Sequence, residues 1–111
     1  NFGIFEGLTY NEICQSYPLE SKKWISLKSE YKFINGESLL DLSKRVQSFV
    51  EEIKNTDKTY LIITHSGVIN VVLSIYLTEN LNNFWKFKCK LASMTVLEFV
   101  DNYPVLEFFS L

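Results

Sequence analysis

The stretch from Lys58 to Asn70 (KTYLIITHSGVIN) constrains the fold more than any other part of this chain. Thr59 to Thr64 is a short, apolar, β-branched run of the kind that forms a buried strand. His65, the only histidine, stands where that run stops. Ser66 and Gly67 then turn the chain into Val68 to Leu77, which is apolar on almost every side and predicts a packed helix. Open α/β sheets place their chemistry where a strand ends in a titratable residue and a small-residue turn leads into a helix. Amides exposed at such a helix start, together with its dipole, favour an anion such as a phosphate. The first expectation is therefore a histidine that works on a phosphate.

Composition narrows the classes around that corner. The chain has 111 residues, 47% hydrophobic and 15% aromatic, which excludes intrinsic disorder and fits one domain or part of one. A net charge of -2 and the lack of a long basic run argue against a nucleic-acid partner. Cys14 and Cys89 form no CxxC pair and are expected as reduced residues of a cytoplasmic protein. The longest apolar run, Val71 to Leu77, is broken by Ser74 and far shorter than the ~20 residues that cross a bilayer. No membrane partner and no signal peptide are expected.

Around the corner the elements follow from local rules. Residues 1–8 suit a compact loop. Thr9 and Glu12 have the form of a capping box, and Pro18 ends the short helix they begin at or before Tyr17. Leu19 to Ile34 reads as a partly helical excursion, followed by a turn at Asn35-Gly36. Ser38 is an N-cap, with Asp41 in the first turn. Leu39, Leu42, Val46, Phe49, Val50 and Ile53 then recur at steps of three and four, predicting a helix over 39–54 with one apolar face. Trp85 to Val100 alternates for much of its length, with Lys86, Lys88 and Lys90 on one side as protection against edge pairing. Met94 to Val100 and Val105 to Phe109 are predicted strands, joined by a turn over 101–104. The expected class is α/β: an antiparallel hairpin added to a parallel core.

Each candidate for chemistry has a plainer alternative. His65 is either a histidine satisfied at the edge of the core or a general acid/base, nucleophile or cation facing a phosphoryl group. Ser66 fails as a hydrolase nucleophile. The elbow motif needs glycines two before and two after the serine, where this chain has Thr64 and Val68, and no second histidine exists to act as base. Arg45 fits a solvated or ion-paired face. Glu6 is either a catalytic carboxylate or a loop anchor. There is no Walker-type glycine loop and no cluster of metal ligands, so nucleotide hydrolysis and metal catalysis have no support, and no cofactor is expected.

Three segments together resemble the histidine phosphatase superfamily, the phosphoglycerate-mutase-like proteins. They are Asn1 to Tyr10 (NFGIFEGLTY) with Glu12-Ile13, Gly36-Glu37-Ser38 with Arg45 beyond it, and Thr64 to Gly67 (THSG). The resemblance implies a three-layer α/β/α fold and a phosphomonoesterase acting through a phosphohistidine. In that family a histidine of an Arg-His-Gly motif attacks the phosphoryl group, while a second histidine and two arginines surround the phosphate. His65 corresponds to the second histidine, which donates a hydrogen bond and positive charge to the phosphoryl oxygens, with the amides of Ser66 and Gly67 beside it. Phe2 and Glu6 become candidates for the substrate pocket.

The chain also departs from the family pattern. It holds no Arg-His-Gly, and the family's acid/base glutamate normally sits just before the Asn-Phe-Gly segment. Residues 1–111 are thus expected to be the C-terminal portion of a single domain whose N-terminal part is missing, inactive alone and prone to self-association through uncovered apolar faces. Asn70 stands where many members carry arginine. The phosphatase branch, which includes α-ribazole phosphatase of cobalamin biosynthesis, is a better match than the mutase branch, and implies a small phosphorylated metabolite as partner. A non-catalytic phosphate-binding or interaction module on the same fold is the alternative.

Overall fold

The computed structural model describes residues 1–111. They form two compact units, Asn1–Leu42 and Ser43–Leu111.

The first unit is organised by aromatic rings. Helix α1 (Tyr10–Ser16) begins with the expected capping box. The Glu12 amide donates to Thr9 Oγ1 at 3.3 Å, and the Thr9 amide donates to Glu12 Oε2 at 2.7 Å. Pro18 does more than end α1: it is the first residue of α2 (Pro18–Leu27), where its missing N–H and fixed φ cost nothing. A short 3-10 turn at Lys28–Glu30 completes the excursion. Phe5, Ile13, Tyr31 and Phe33 are buried together, with Ile4, Tyr17 and Trp24 packed against them. Phe5 meets Phe33 edge-on at 5.6 Å and lies parallel to Tyr31 at 6.4 Å. Such ring pairs each contribute about 0.5–1.5 kcal/mol beyond their area burial.

The 1–7 loop is fastened to the 34–37 turn by its backbone. Ile4 N–H donates to the Ile34 carbonyl at 3.0 Å, and Glu37 N–H to the Asn1 carbonyl at 3.0 Å. Gly3 lies at φ +55°, and a Cβ there would sit 1.8 Å from the Ile34 carbonyl oxygen. Glycine is required twice over, for left-handed backbone and for the close approach.

In the second unit, α3 (Leu39–Ile53, begun in the first) buries Val46 and Val50 and leaves Phe49 at 47% exposure on the edge of its apolar stripe. Helix α4 (Ser66–Thr78) is more deeply placed: Val71, Leu73 and Ser74 are almost wholly buried. It ends at Glu79 in the left-handed region, with the Glu79 and Asn80 amides both donating to the Ser74 carbonyl. A 3-10 turn over Leu81–Lys86 follows. Strands β1 (Val96–Val100) and β2 (Tyr103–Phe108) pair antiparallel, with Val100 opposite Tyr103. Asp101 and Asn102 both have positive φ, +49° and +66°, so the hairpin turns in two residues, and Pro104 lies within β2. Helices α3 and α4 and strand β1 meet at Tyr76, whose hydroxyl donates to Glu51 Oε1 at 2.9 Å and whose ring meets Phe99 edge-on at 5.3 Å.

Two expectations are corrected. Thr59 to Thr64 joins no ladder and is exposed throughout, with Leu61 at 85% and Ile63 at 93%. The hairpin is the only sheet among these residues, so no parallel core is assembled from them. A buried strand needs neighbours along both edges and a layer on each face, and residues 1–111 supply neither at 59–64. The alternating run 85–91 is likewise not a strand: Trp85 belongs to the 3-10 turn, and Phe87 to Lys90 join no ladder, the Lys90 amide donating instead to Ser110 Oγ at 2.7 Å.

Candidate functional site

His65 is the N-cap of α4, with extended backbone at φ -99° and ψ 156°. Its carbonyl accepts the first helical bonds, from Val68 N–H at 3.0 Å and Ile69 N–H at 3.2 Å. Its side chain makes no capping bond, so the imidazole is not consumed in holding the helix start. The ring is exposed, as is Ser66. The amides of Ser66 and Gly67 precede the first intrahelical acceptor and remain open, as the first amides of a helix must unless something outside it accepts from them. No acidic side chain occupies the first turn. Nothing lies within 4 Å of where a Gly67 Cβ would stand, so the protein's own packing does not require glycine there. The corner presents one imidazole and two N–H donors at the positive end of a helix of nearly four turns, and space beside them. That arrangement suits a small oxyanion.

Phe2 and Glu6 lie together in the first unit. Glu6 Oε1 accepts the Phe2 amide at 2.7 Å, which closes the loop on itself, while the Phe2 ring is half exposed and meets Phe33 edge-on at 5.1 Å. The carboxylate therefore has an anchoring partner. Phe2 offers an apolar surface held by the aromatic core.

Asn70 and Ser74 lie one turn apart on α4. Both are buried polar residues on an otherwise apolar helix. The Asn70 side-chain amide donates to the Phe87 carbonyl at 2.9 Å, tying α4 to the segment after the 3-10 turn, and Asn70 Oδ1 and Ser74 Oγ have no partner. Asn70 thus serves packing through its N–H₂ and leaves an acceptor unused. The i,i+4 spacing of two polar residues in an apolar run was the clue that they share a face.

Residues 1–111 match the family model of the histidine phosphatase superfamily (branch 1). The chain belongs to that superfamily. Among curated relatives, phosphoserine phosphatase 1 of Hydrogenobacter thermophilus is 26% identical over 106 residues, covering 94% of this chain and 50% of the relative. Human 6-phosphofructo-2-kinase/fructose-2,6-bisphosphatase 4 is 30% identical over 95 residues, covering 86% of this chain and 20% of that protein. The crystal structure of α-ribazole phosphatase from Shigella flexneri matches 98% of this chain and 55% of its own, with a TM-score of 0.86 at 18% identity. At that identity the match shows the histidine phosphatase fold, of which these residues carry a part. The chain spans half or less of the curated relatives it matches. No helix is long and apolar enough to cross a membrane.

Proposed function

We propose that this chain supplies the second-histidine side of a phosphomonoesterase site that hydrolyses a small phosphorylated metabolite through a phosphohistidine. The observation that carries the reading is the open corner at His65: an exposed imidazole beside the free Ser66 and Gly67 amides, with no carboxylate in the first turn to compete. Membership of a phosphatase-containing superfamily supports it.

In the proposed step a histidine outside these residues attacks phosphorus, and the ester P–O bond breaks as the N–P bond forms. Negative charge moves onto the phosphoryl oxygens and the leaving oxygen. The His65 imidazole and the two amides, as hydrogen-bond donors, lower the energy of that charge because they are already oriented and need not reorganise. An acid outside these residues protonates the leaving oxygen; its conjugate base then deprotonates a water that attacks the phosphohistidine, the N–P bond breaks, and inorganic phosphate and the free histidine are released. Gly67 allows the oxyanion to approach the helix start without a side chain in the way. Phe2, in the family segment Asn1–Tyr10, is assigned to substrate binding, with Glu6 holding the loop that carries it.

The relatives' names point to three phosphate esters: α-ribazole 5'-phosphate, phosphoserine and fructose 2,6-bisphosphate. α-Ribazole 5'-phosphate and phosphoserine are the first to assay. The test is a steady-state assay of the full-length enzyme on these three and on simple sugar phosphates. His65→Ala is expected to lower kcat about 10²–10³-fold, as for loss of an oxyanion-stabilising donor. Hydrolysis unaffected by that substitution would remove His65 from the reaction. Phosphate binding without turnover in the full-length protein would favour the non-catalytic module.

A further inference from the structure

Lys88 and Lys90 are exposed, and no carboxylate pairs with either ammonium group. Three contacts fix the end of α4 to which they belong. The ring of Tyr76, in the second half of the helix, meets Phe99, which stands opposite Pro104 next to the hairpin turn. Nearer the helix start, the Asn70 side-chain amide donates to the Phe87 carbonyl, and the Phe87 ring lies 6.0 Å from that of Phe109. Strand β2 therefore runs from the Tyr76 end of α4 toward its His65 end. Ser110, one residue past Phe109, accepts the Lys90 amide at 2.7 Å. The chain beyond Phe87 is thus carried past Asn70 toward the His65 corner. Asn70 itself stands about 6 Å along the helix axis from Ser66. Phe87 and Cys89 are half-buried, and Lys86, Lys88 and Lys90 alternate with them into solvent. Two unpaired ammonium groups on one side of the chain repel each other, and a shared anion reverses that cost.

We propose that Lys88 and Lys90 bind a second anionic group, a carboxylate or a phosphate, on the ester whose phosphoryl group is held at the His65 corner. The subsite rests on the phosphomonoesterase reading and narrows its substrate class to esters that carry two anionic groups. A lysine suits either anion, because its ammonium is a compact charge on a flexible stem. Phosphoserine and fructose 2,6-bisphosphate fit that class, and α-ribazole 5'-phosphate does not. Lysines along a segment also discourage edge pairing, a role that all three would share. The proposed subsite does not include Lys86, which precedes the point where Phe87 meets Asn70.

The test uses the full-length enzyme and two esters that differ in one group, 2-phosphoglycolate and 2-hydroxyethyl phosphate. The first has a carboxylate where the second has a hydroxymethyl. The parent enzyme should favour the carboxylate ester in kcat/KM by about tenfold or more, with the difference in KM. The double variant Lys88→Gln, Lys90→Gln should bring that ratio to within about twofold of one. Lys86→Gln removes one of the same charges and should leave the ratio as in the parent. Calorimetric binding of both esters to the same proteins reads the preference without turnover. Equal handling of the two esters by the parent overturns the proposal. So does a ratio that survives the double variant, or one that Lys86→Gln lowers as much. Preferential binding of the carboxylate ester with hydrolysis of neither would count against the proposed function and leave the lysine subsite. Hydrolysis of both without preference would do the reverse.

Discussion

Tyr31 shows how one side chain joins packing to polarity in the first unit. Its ring is buried against Phe5 and Phe33, and its hydroxyl donates to Glu20 Oε2 at 2.8 Å. Burial first, and then the bond to the Glu20 carboxylate, push the phenol up to about 12. On the other side of that bond, Glu20 is held below the usual carboxylate range, by Lys23 first and Tyr31 second. A phenol raised by folding stabilises the protein only while protonated. Its contribution is whole below the unfolded value of about 10 and is lost as pH rises toward 12. Tyr31→Phe keeps the ring and removes the hydroxyl, at an expected cost of about 0.5–1.5 kcal/mol at neutral pH. The stability gap between parent and variant should narrow between pH 10 and 12. Urea unfolding at pH 7 and pH 11 measures it, and a gap that stays constant would show the hydroxyl bond to be idle.

Among the elements, α3 has the clearest local cause. Its start is a reciprocal box: the Asp41 amide donates to Ser38 Oγ at 3.0 Å and the Ser38 amide to Asp41 Oδ2 at 3.0 Å. The sequence suggested Ser38 as cap and Asp41 only as a charge near the dipole. Aspartate's shorter side chain still reaches back to the cap, a role usually given to glutamate or glutamine. Ser38→Ala should cost about 0.5–2 kcal/mol, read as a lower urea midpoint with unchanged m-value. A loss far below that range would mean that tertiary packing alone sets where α3 begins. At the start of α4 the logic is opposite. His65 does not cap the helix with its side chain, so the open amides there are a feature of the site and not of the helix's stability.

At the scale of the whole molecule, apolar surface is distributed unevenly. The first unit closes its aromatic core, whereas the second leaves Leu61, Ile63 and Leu91 almost fully in solvent. Contiguous exposed apolar residues on an extended backbone promote association. Ile63→Lys should therefore reduce light scattering of the 111-residue chain at high concentration. It should leave the unfolding midpoint within about 0.5 kcal/mol of the parent, since the side chain contributes little to the folded contacts. A large destabilisation would show that Ile63 is packed in solution.

Local rules were enough for much of the chain. The Thr9–Glu12 box, the Pro18 break, the amphipathic helix after Ser38, the helix beyond His65, which takes in Ser66 and Gly67 expected as a turn, and the hairpin, whose turn is Asp101-Asn102 and shorter than the expected 101–104, all depend on residues near one another in sequence. Hydrophobic period, caps and turn chemistry act over that range. The three family segments were equally legible, and they agree with the superfamily to which the chain belongs. Other features depended on partners distant in sequence. Whether 59–64 becomes a buried strand is decided by neighbours on its edges and faces, and its β-branched character states only a capacity for pairing. Alternation at 85–91 likewise built no strand: the 3-10 turn takes its first two residues, and the Lys90 amide goes to Ser110 Oγ, twenty residues on. The buried amide of Asn70 on the Phe87 carbonyl and the Tyr76–Glu51 bond join residues whose proximity only the folded chain creates. The corner at His65 belongs to both. Its residues were readable in order, but its open amides and exposed ring were set by what the tertiary structure left unpaired.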